Sequence, residues 1–228
     1  MTDSPVTDGR RRDLSVDQRL ALRTAATRLD GEFNGSFGTE TIERFLHSSY
    51  DQFAGRATIP NFLPLLAERF ARQRLHALAR VEGRVSDGRP TVLFLCTHNA
   101  GRSQMALGYF THLAGDLAIA WSGGSEPGTE INPAAIAAMA EVGIDITGEY
   151  PKPWTDEIVQ AADVVITMGC GDACPVFPGK RYENWDLPDP AGQGVDAVRP
   201  IRDQIEQRIQ RLLSDLGVAA QQHDRSSE

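Results

Sequence analysis

Two hydrophobic periodicities run along the chain, and the change from one to the other divides it. From Asp13 to Arg80 apolar residues recur every three or four positions, the spacing of amphipathic helices. Three helices are expected there. The first covers Asp13 to Leu29, with Ser15 and Gln18 as a capping box and Leu14 at the staple position. The second covers Thr39 to Phe53, with Ile42, Phe45, Leu46, Tyr50 and Phe53 on one face. The third covers Pro60 to Arg80 and carries Leu63, Leu66, Phe70 and Leu78, with Pro64 near its start. Together they predict a small three-helix bundle over residues 13–81, its stripes forming a core and its charged faces solvated. Residues 1–12 read as a disordered tail and residues 82–90, rich in Gly, Arg, Ser and Asp, as a linker.

From Thr91 short apolar runs alternate with helical stretches. Thr91–Leu95 suits a central strand, and Ser103–Ala114 a helix. Leu117–Trp121 follows as a strand, closed by Ser122-Gly-Gly-Ser125. Asn132 caps a helix with Pro133 at its first position, running from Ala134 to Val142. A short helix starts at Thr155, Asp163–Met168 is a third strand, and Lys180–Trp185 is a weaker fourth. A last helix covers Asp196–Leu216, with Gly217 as its stop and Pro200 tolerated if the helix begins late. This alternation predicts an α/β domain over residues 91–217, a four-stranded parallel sheet in three layers, with residues 218–228 as a second disordered tail. Ligands of such sheets sit beyond the carboxyl ends of the strands. Cys96 follows the first strand and Cys170 the third, so both are expected at one sheet edge.

Composition narrows the partners. The chain has 228 residues and a net charge of −8, which speaks against a nucleic-acid or membrane-surface binder. No apolar run is long enough to span a bilayer, and Arg10, Arg11 and Arg12 are followed by no apolar segment of a secretory signal. Three cysteines do not pair into a disulfide framework and fit a reducing cytoplasm.

The chemistry concentrates in Cys96-Thr97-His98-Asn99-Ala100-Gly101-Arg102-Ser103. A strand, a tight loop and a helix N-terminus in succession aim backbone N–H groups and a helix dipole at one point, an oxyanion site. Arg102 adds a planar fork for a tetrahedral anion, and the same field favours thiolate at Cys96, a nucleophile at the base of the cradle. Cys170 and Cys174, four apart with Gly169 and Gly171 beside them, are spaced to form a redox pair, to lie inert, or to bind a soft metal. His47, His76, His98, His112 and His223 show no zinc spacing, so no metal is expected. Trp185-Asp186-Leu187-Pro188-Asp189-Pro190-Ala191 places a carboxylic acid, Asp189, at the same edge, where it could protonate a leaving oxygen.

Taken together, residues 91 to about 216 resemble the low-molecular-weight protein tyrosine phosphatase fold, and more closely the arsenate reductases built on it. The motif from Cys96 to Ala106, Ser122-Gly with Glu126-Pro127, Asn132-Pro133, the Cys170 and Cys174 pair with Pro175, and Trp185 with Asp189-Pro190-Ala191-Gly192 carry the likeness. Residues 13–80 resemble the extra N-terminal bundle of some actinobacterial members. The resemblance implies that Cys96 attacks arsenate held by the loop and Arg102, that Asp189 assists loss of hydroxide, and that Cys170 and then Cys174 carry the resulting disulfide to thioredoxin. A mycothiol and mycoredoxin route, a phosphatase using Cys96, Arg102 and Asp189, and a non-catalytic thiol sensor are the competing readings. Related reductases carry a glutamate of a potassium site where this chain has Leu107, although Asn99 and Ser122 remain; no cofactor is expected beyond the thiol reductant. Gly101 stands where phosphatases and some reductases have a second loop cysteine, and Ala191 where phosphatases have a tyrosine that walls an aryl pocket.

Overall fold

The Ser15 capping box forms as its sequence dictates: Ser15 Oγ accepts from Gln18 N and Gln18 Oε1 accepts from Ser15 N. It fixes the start of helix α1 (Val16–Glu32), one turn later at both ends than the expected Asp13–Leu29. The computed structural model describes residues 14–55, 62–169 and 176–218. Helix α2 (Thr39–Ala54) and helix α3 (Leu63–Val81) come next along the chain. The chain divides into two compact units, Met1–Leu75 and His76–Glu228. The cut falls inside α3 and not in the 82–90 segment, because the end of α3 is tied to residues 87–89. Arg80 bonds Asp87 at 2.8 Å and the Arg89 carbonyl at 3.0 Å.

In the first unit Leu22, Ala25 and Leu29 of α1 and Ile42, Phe45, Leu46, Tyr50 and Phe53 of α2 are buried. In the α3 stripe Leu63 and Phe70 are buried as expected, whereas Leu66 and Leu78 are only half-buried and Ala67, Ala71 and Leu75 are buried beside them. Alanines at a helix crossing let helices approach closely. The charged faces are also not simply solvated. Glu68 is buried and bonds Arg28, and it accepts from Arg72 at 3.0 Å while Arg72 reaches Glu32 at 2.7 Å. The Arg28 hydrogen bond holds the Glu68 carboxyl below its ordinary range.

In the second unit strands β1 (Thr91–Cys96), β2 (Ile119–Gly124), β3 (Val164–Met168) and β4 (Arg181–Asn184) form one parallel sheet in the order β2-β1-β3-β4. β1 is central and buried along its whole length. Its register places Cys96 opposite Gly124 on one side and Met168 on the other. Helices α4 (Arg102–Ala114), α5 (Pro133–Ala140), α6 (Asp156–Ala161) and α7 (Val195–Asp215) complete the unit. Val92, Phe94 and Cys96 face the core shared with α4, α5 and α7, where Phe94 meets Phe110 and Trp185 with ring centroids 5.7 and 6.0 Å apart. Leu93 and Leu95 are equally buried and fall outside that cluster, as strand alternation requires. Helix α6 packs against β1.

Two local expectations shift. β2 begins later than Leu117, since residues 115–117 form a 3₁₀ turn. α7 begins at Val195 and runs through Pro200, although proline removes one internal hydrogen bond. Tertiary contacts on both sides of Pro200 offset that loss: Val198, Ile201, Ile205 and Ile209 are buried, and Arg199 and Arg202 both bond Glu141 after α5. The Arg199 hydrogen bonds hold the Glu141 carboxyl down to about 2.

Phe94→Ala should destabilise the protein by about 3–5 kcal/mol, measured by urea unfolding, because it opens a cavity between two aromatic neighbours. The Glu141 clamp is present above the ordinary carboxylate range and lost as pH falls toward about 2. Glu141→Gln should therefore unfold with a smaller decrease in urea midpoint between about pH 6 and about pH 3 than the wild type.

Candidate active site

Between the end of β1 at Cys96 and the start of α4 at Arg102 the chain turns through residues 97–101. Every carbonyl of that turn is engaged by a donor outside the cradle. Thr97 O accepts from Glu126 N, His98 O from Gly128 N and Ala100 O from Asn132 N, each at 2.8 Å. Gly101 O accepts from Met105 N at 2.9 Å, and Asn99 O from Gln104 Nε2 at 3.0 Å. In a trans peptide the N–H points opposite to the C=O, so oxygens turned outward turn the loop N–H groups inward. Asn99, with φ 47°, is the one non-glycine with positive φ among the described residues. That conformation aims its N–H at Cys96 Sγ, 3.2 Å away. Ser103 Oγ lies 3.0 Å from the same sulfur and accepts from Asn99 Nδ2 at 2.8 Å. A negative charge on this buried sulfur is thus met by donors on two sides.

Arg102 is 7% exposed, so its charge is held in the site. Its Nη1 donates to Leu187 O at 3.2 Å, and its Nη2 stands 3.2 Å from Asp189 Oδ2. Asp189 is half exposed and caps its own turn by accepting from Ala191 N at 3.1 Å. Asn132, read in the sequence as a helix cap, does cap α5 and also donates Nδ2 to Pro190 O at 2.9 Å, tying the acidic loop to the cradle. Cys96, His98, Ala100, Gly101, Arg102, Asn132, Asp189, Pro190 and Ala191 line a cavity of about 30 Å³, room for about two waters or one small anion. A far larger open groove of about 980 Å³ lies at the opposite end of the strands, among Pro90, Asp163 and Lys180, and is lined by no cysteine among the described residues. Chemistry, not size, marks the site.

The sequence-predicted residues separate by role. Cys96, Asn99, Arg102 and Ser103 converge, with Ala100 and Gly101 on the wall and Asp189 over them. Thr97 and His98 turn their side chains away from the sulfur: Thr97 Oγ1 donates to Gly169 O at 2.8 Å, and His98 Nδ1 lies 3.1 Å from Glu126 O. Cys170 and Cys174 lie outside the described residues. Gly169, with φ 77°, is the last described residue before them, and a Cβ on it would come within 2.9 Å of Arg102 Nη1. Gln104 was missed as a site residue, yet it is buried and bonds Asn99 through both the carbonyl and the side-chain oxygen. Its signal is a long amide in a helical turn whose neighbours Met105 and Ala106 are apolar. Among the described residues no three His, Cys, Asp or Glu side chains cluster to hold a metal.

Comparison with known proteins finds two family models on separate stretches of the chain. A family model described as low molecular weight phosphotyrosine protein phosphatase matches residues 91–222, and one described as protein-tyrosine-phosphatase-like, N-terminal domain, matches residues 22–79. A solved structure of a thioredoxin-dependent arsenate reductase from Corynebacterium glutamicum superposes with a TM-score of 0.78 at 44% identity, covering 86% of this chain and 96% of its own. Arsenate reductase 2 of Staphylococcus epidermidis is 40% identical over 124 residues, 53% of this chain and 93% of that protein. The glutaredoxin arsenate reductase of Synechocystis sp. is 39% identical over 129 residues, 55% of this chain and 97% of that protein.

A Cβ at Gly101 would lie 2.6 Å from Pro190 Cγ, so any side chain there must displace the acidic loop. Gly101→Cys should keep the fold, by circular dichroism, but part Asp189 from Arg102 in a crystal structure. An unmoved Asp189 in that variant contradicts the account.

Proposed function

The chain belongs to the low molecular weight phosphotyrosine protein phosphatase family, and on that premise we propose that it reduces arsenate to arsenite through a relay of Cys96, Cys170 and Cys174 recycled by thioredoxin. The observation that supports the relay best is the hydrogen bond from Thr97 Oγ1 to Gly169 O. It joins the residue after the nucleophile to the residue before Cys170, at the ends of two adjacent strands whose register sets Cys96 against Met168. The chain is thus tied beside the nucleophile as far as Gly169, which supports thiol exchange with the cysteine next in sequence.

In this reading the loop N–H groups and the Arg102 fork hold arsenate. Cys96 thiolate attacks arsenic, and a hydroxyl group departs with a proton from Asp189, leaving a sulfur–arsenic bond. Asp189 carries that role from its place 3.2 Å from Arg102, above the cavity. Cys170 thiolate then attacks Cys96 Sγ. A disulfide forms, the sulfur–arsenic bond breaks with its electron pair on arsenic, and arsenite leaves. Two thiols have lost the two electrons that arsenic gained. Cys174 attacks Cys170, which returns Cys96 as thiolate and moves the disulfide to Cys170–Cys174. Thioredoxin dithiol reduces that bond by the same exchange. The relatives include thioredoxin-dependent and glutaredoxin-named arsenate reductases, so the reductant is the variable to measure.

Arsenate-dependent NADPH oxidation should be supported by thioredoxin and its reductase and not by mycothiol with mycoredoxin. Cys96→Ser and Cys174→Ser should each lower that turnover by at least about a hundred-fold. Full turnover by Cys174→Ser sinks the three-cysteine relay and favours mycothiol. Steady aryl phosphate hydrolysis that survives both Cys170→Ser and Cys174→Ser favours a phosphatase.

A further inference from the structure

Beneath the cradle lies a second layer of polar contacts that the reaction does not use. Gln104 Nε2 donates to Asn99 O at 3.0 Å, to Asn99 Oδ1 at 3.1 Å and to Tyr150 O at 3.2 Å. The backbone N–H of Lys152 donates to the same Asn99 Oδ1 at 3.0 Å. Lys152 Nζ in turn stands 3.4 Å from Tyr150 O, 3.3 Å from Glu149 Oε2 and 4.7 Å from the Tyr150 ring centroid. One carbonyl oxygen therefore links the ammonium to Gln104, Gln104 links it to Asn99, and Asn99 N–H reaches Cys96 Sγ. Lys152 lies between Pro151 and Pro153, which restrict the backbone on both sides. It is 3% exposed, although its carboxylate neighbour Glu149 still touches solvent. Lysine is almost never buried to this degree without its charge being used, because taking an ammonium out of water costs several kcal/mol.

The potassium site that the family resemblance implies does not fit this arrangement. Position 107 is a buried leucine with no side-chain oxygen. Asn99 Oδ1 already accepts two hydrogen bonds, from Lys152 N and Gln104 Nε2. Ser122 Oγ, buried and without a hydrogen-bond partner among the described residues, is a single neutral oxygen. An ammonium one carbonyl away from Asn99 repels a second cation.

We propose that Lys152 is a positioning residue for the Cys96 loop: its ammonium is the chain's own fixed cation, holding Tyr150 O, Gln104 and Asn99 in register, so that no diffusible monovalent cation is needed. The contacts explain why a positive charge and not merely a bulky side chain belongs there: the ammonium meets a carbonyl, a carboxylate and an aromatic face, all of which favour a cation. Loss of the charge frees the turn at residues 149–152, and with it the acceptor geometry that holds Asn99 in its left-handed conformation.

The inference rests on the reading of Cys96 as the nucleophile, and its test reads Cys96 directly without arsenate. The reduced full-length chain is alkylated with iodoacetamide, and the Cys96 peptide is followed by mass spectrometry. The melting midpoint is recorded in potassium chloride and in tetramethylammonium chloride at equal ionic strength. Wild type should alkylate and melt identically in both salts. Lys152→Met should alkylate roughly ten-fold more slowly, as a displaced Asn99 N–H loosens the sulfur site, while Lys152→Arg, which keeps the charge, should stay near wild type. Potassium-dependent melting or alkylation of the wild type overturns the proposal, as does Lys152→Met alkylating at the wild-type rate. Should Lys152→Met fail to fold, Lys152→Arg and the wild-type salt comparison decide: salt indifference with a near-wild-type Arg variant supports it, and a ten-fold slower Arg variant overturns it. Because none of these readouts involves arsenate, failure of the Lys152 role and failure of the arsenate reading are separate results.

Discussion

The hydrogen bond from Asn99 N–H to Cys96 Sγ is the contact on which the rest of the site depends. It forms only because Asn99 adopts a left-handed backbone that asparagine tolerates better than most residues. That conformation is held from three sides: Ser103 takes the amide donor, while Gln104 and the backbone of Lys152 take the amide oxygen. Once Asn99 is set, the peptides on either side present oxygens outward to residues 126–132 and N–H groups inward. The cradle is therefore made by the segment after β2 as much as by its own sequence. Gly124 adds to this, for a Cβ there would lie 2.6 Å from Thr97 O.

Much of this was legible in the sequence, for physical reasons that can be named. The strand-to-helix position of Cys96 and Arg102 came from a fully apolar run meeting a helical period, and β1 is buried on both faces as such a run requires. The Ser15 capping box and the Asn132 cap were readable because their chemistry is local. What could not be read was what tertiary contact decides. Nothing local says that Leu66 yields its place to Ala67 and Leu75, or that Glu68 is buried between Arg28 and Arg72. The sequence makes Pro200 tolerable only if α7 begins late; α7 instead begins at Val195, and the buried isoleucines beyond the proline carry the helix through. Lys152 sat unnoticed between two prolines, since burial of a lysine leaves no mark in its own sequence.

The loop alone serves a phosphatase or a reductase equally well, because both chemistries need a thiolate under a tetrahedral oxyanion. The difference lies in what stands beside the nucleophile. Pro190 closes over Gly101 and leaves no room for a side chain at that position. On the other flank Gly169 is held by Thr97 and lies against Arg102, and the chain continues from it to Cys170. The proposed relay uses that continuity: oxidation would pass from Cys96 to the cysteine after Gly169 rather than the site turning over by water.

The central claim is that oxidation leaves Cys96 by way of Cys170. Peptide mapping after a single turnover tests it most directly: the fully reduced chain is given one equivalent of arsenate without reductant, quenched in acid, and its disulfides are identified by mass spectrometry. The account predicts a Cys170–Cys174 disulfide with Cys96 free in the wild type, and a Cys96–Cys170 disulfide in Cys174→Ser. Arsenite released while Cys170 remains a thiol would contradict it.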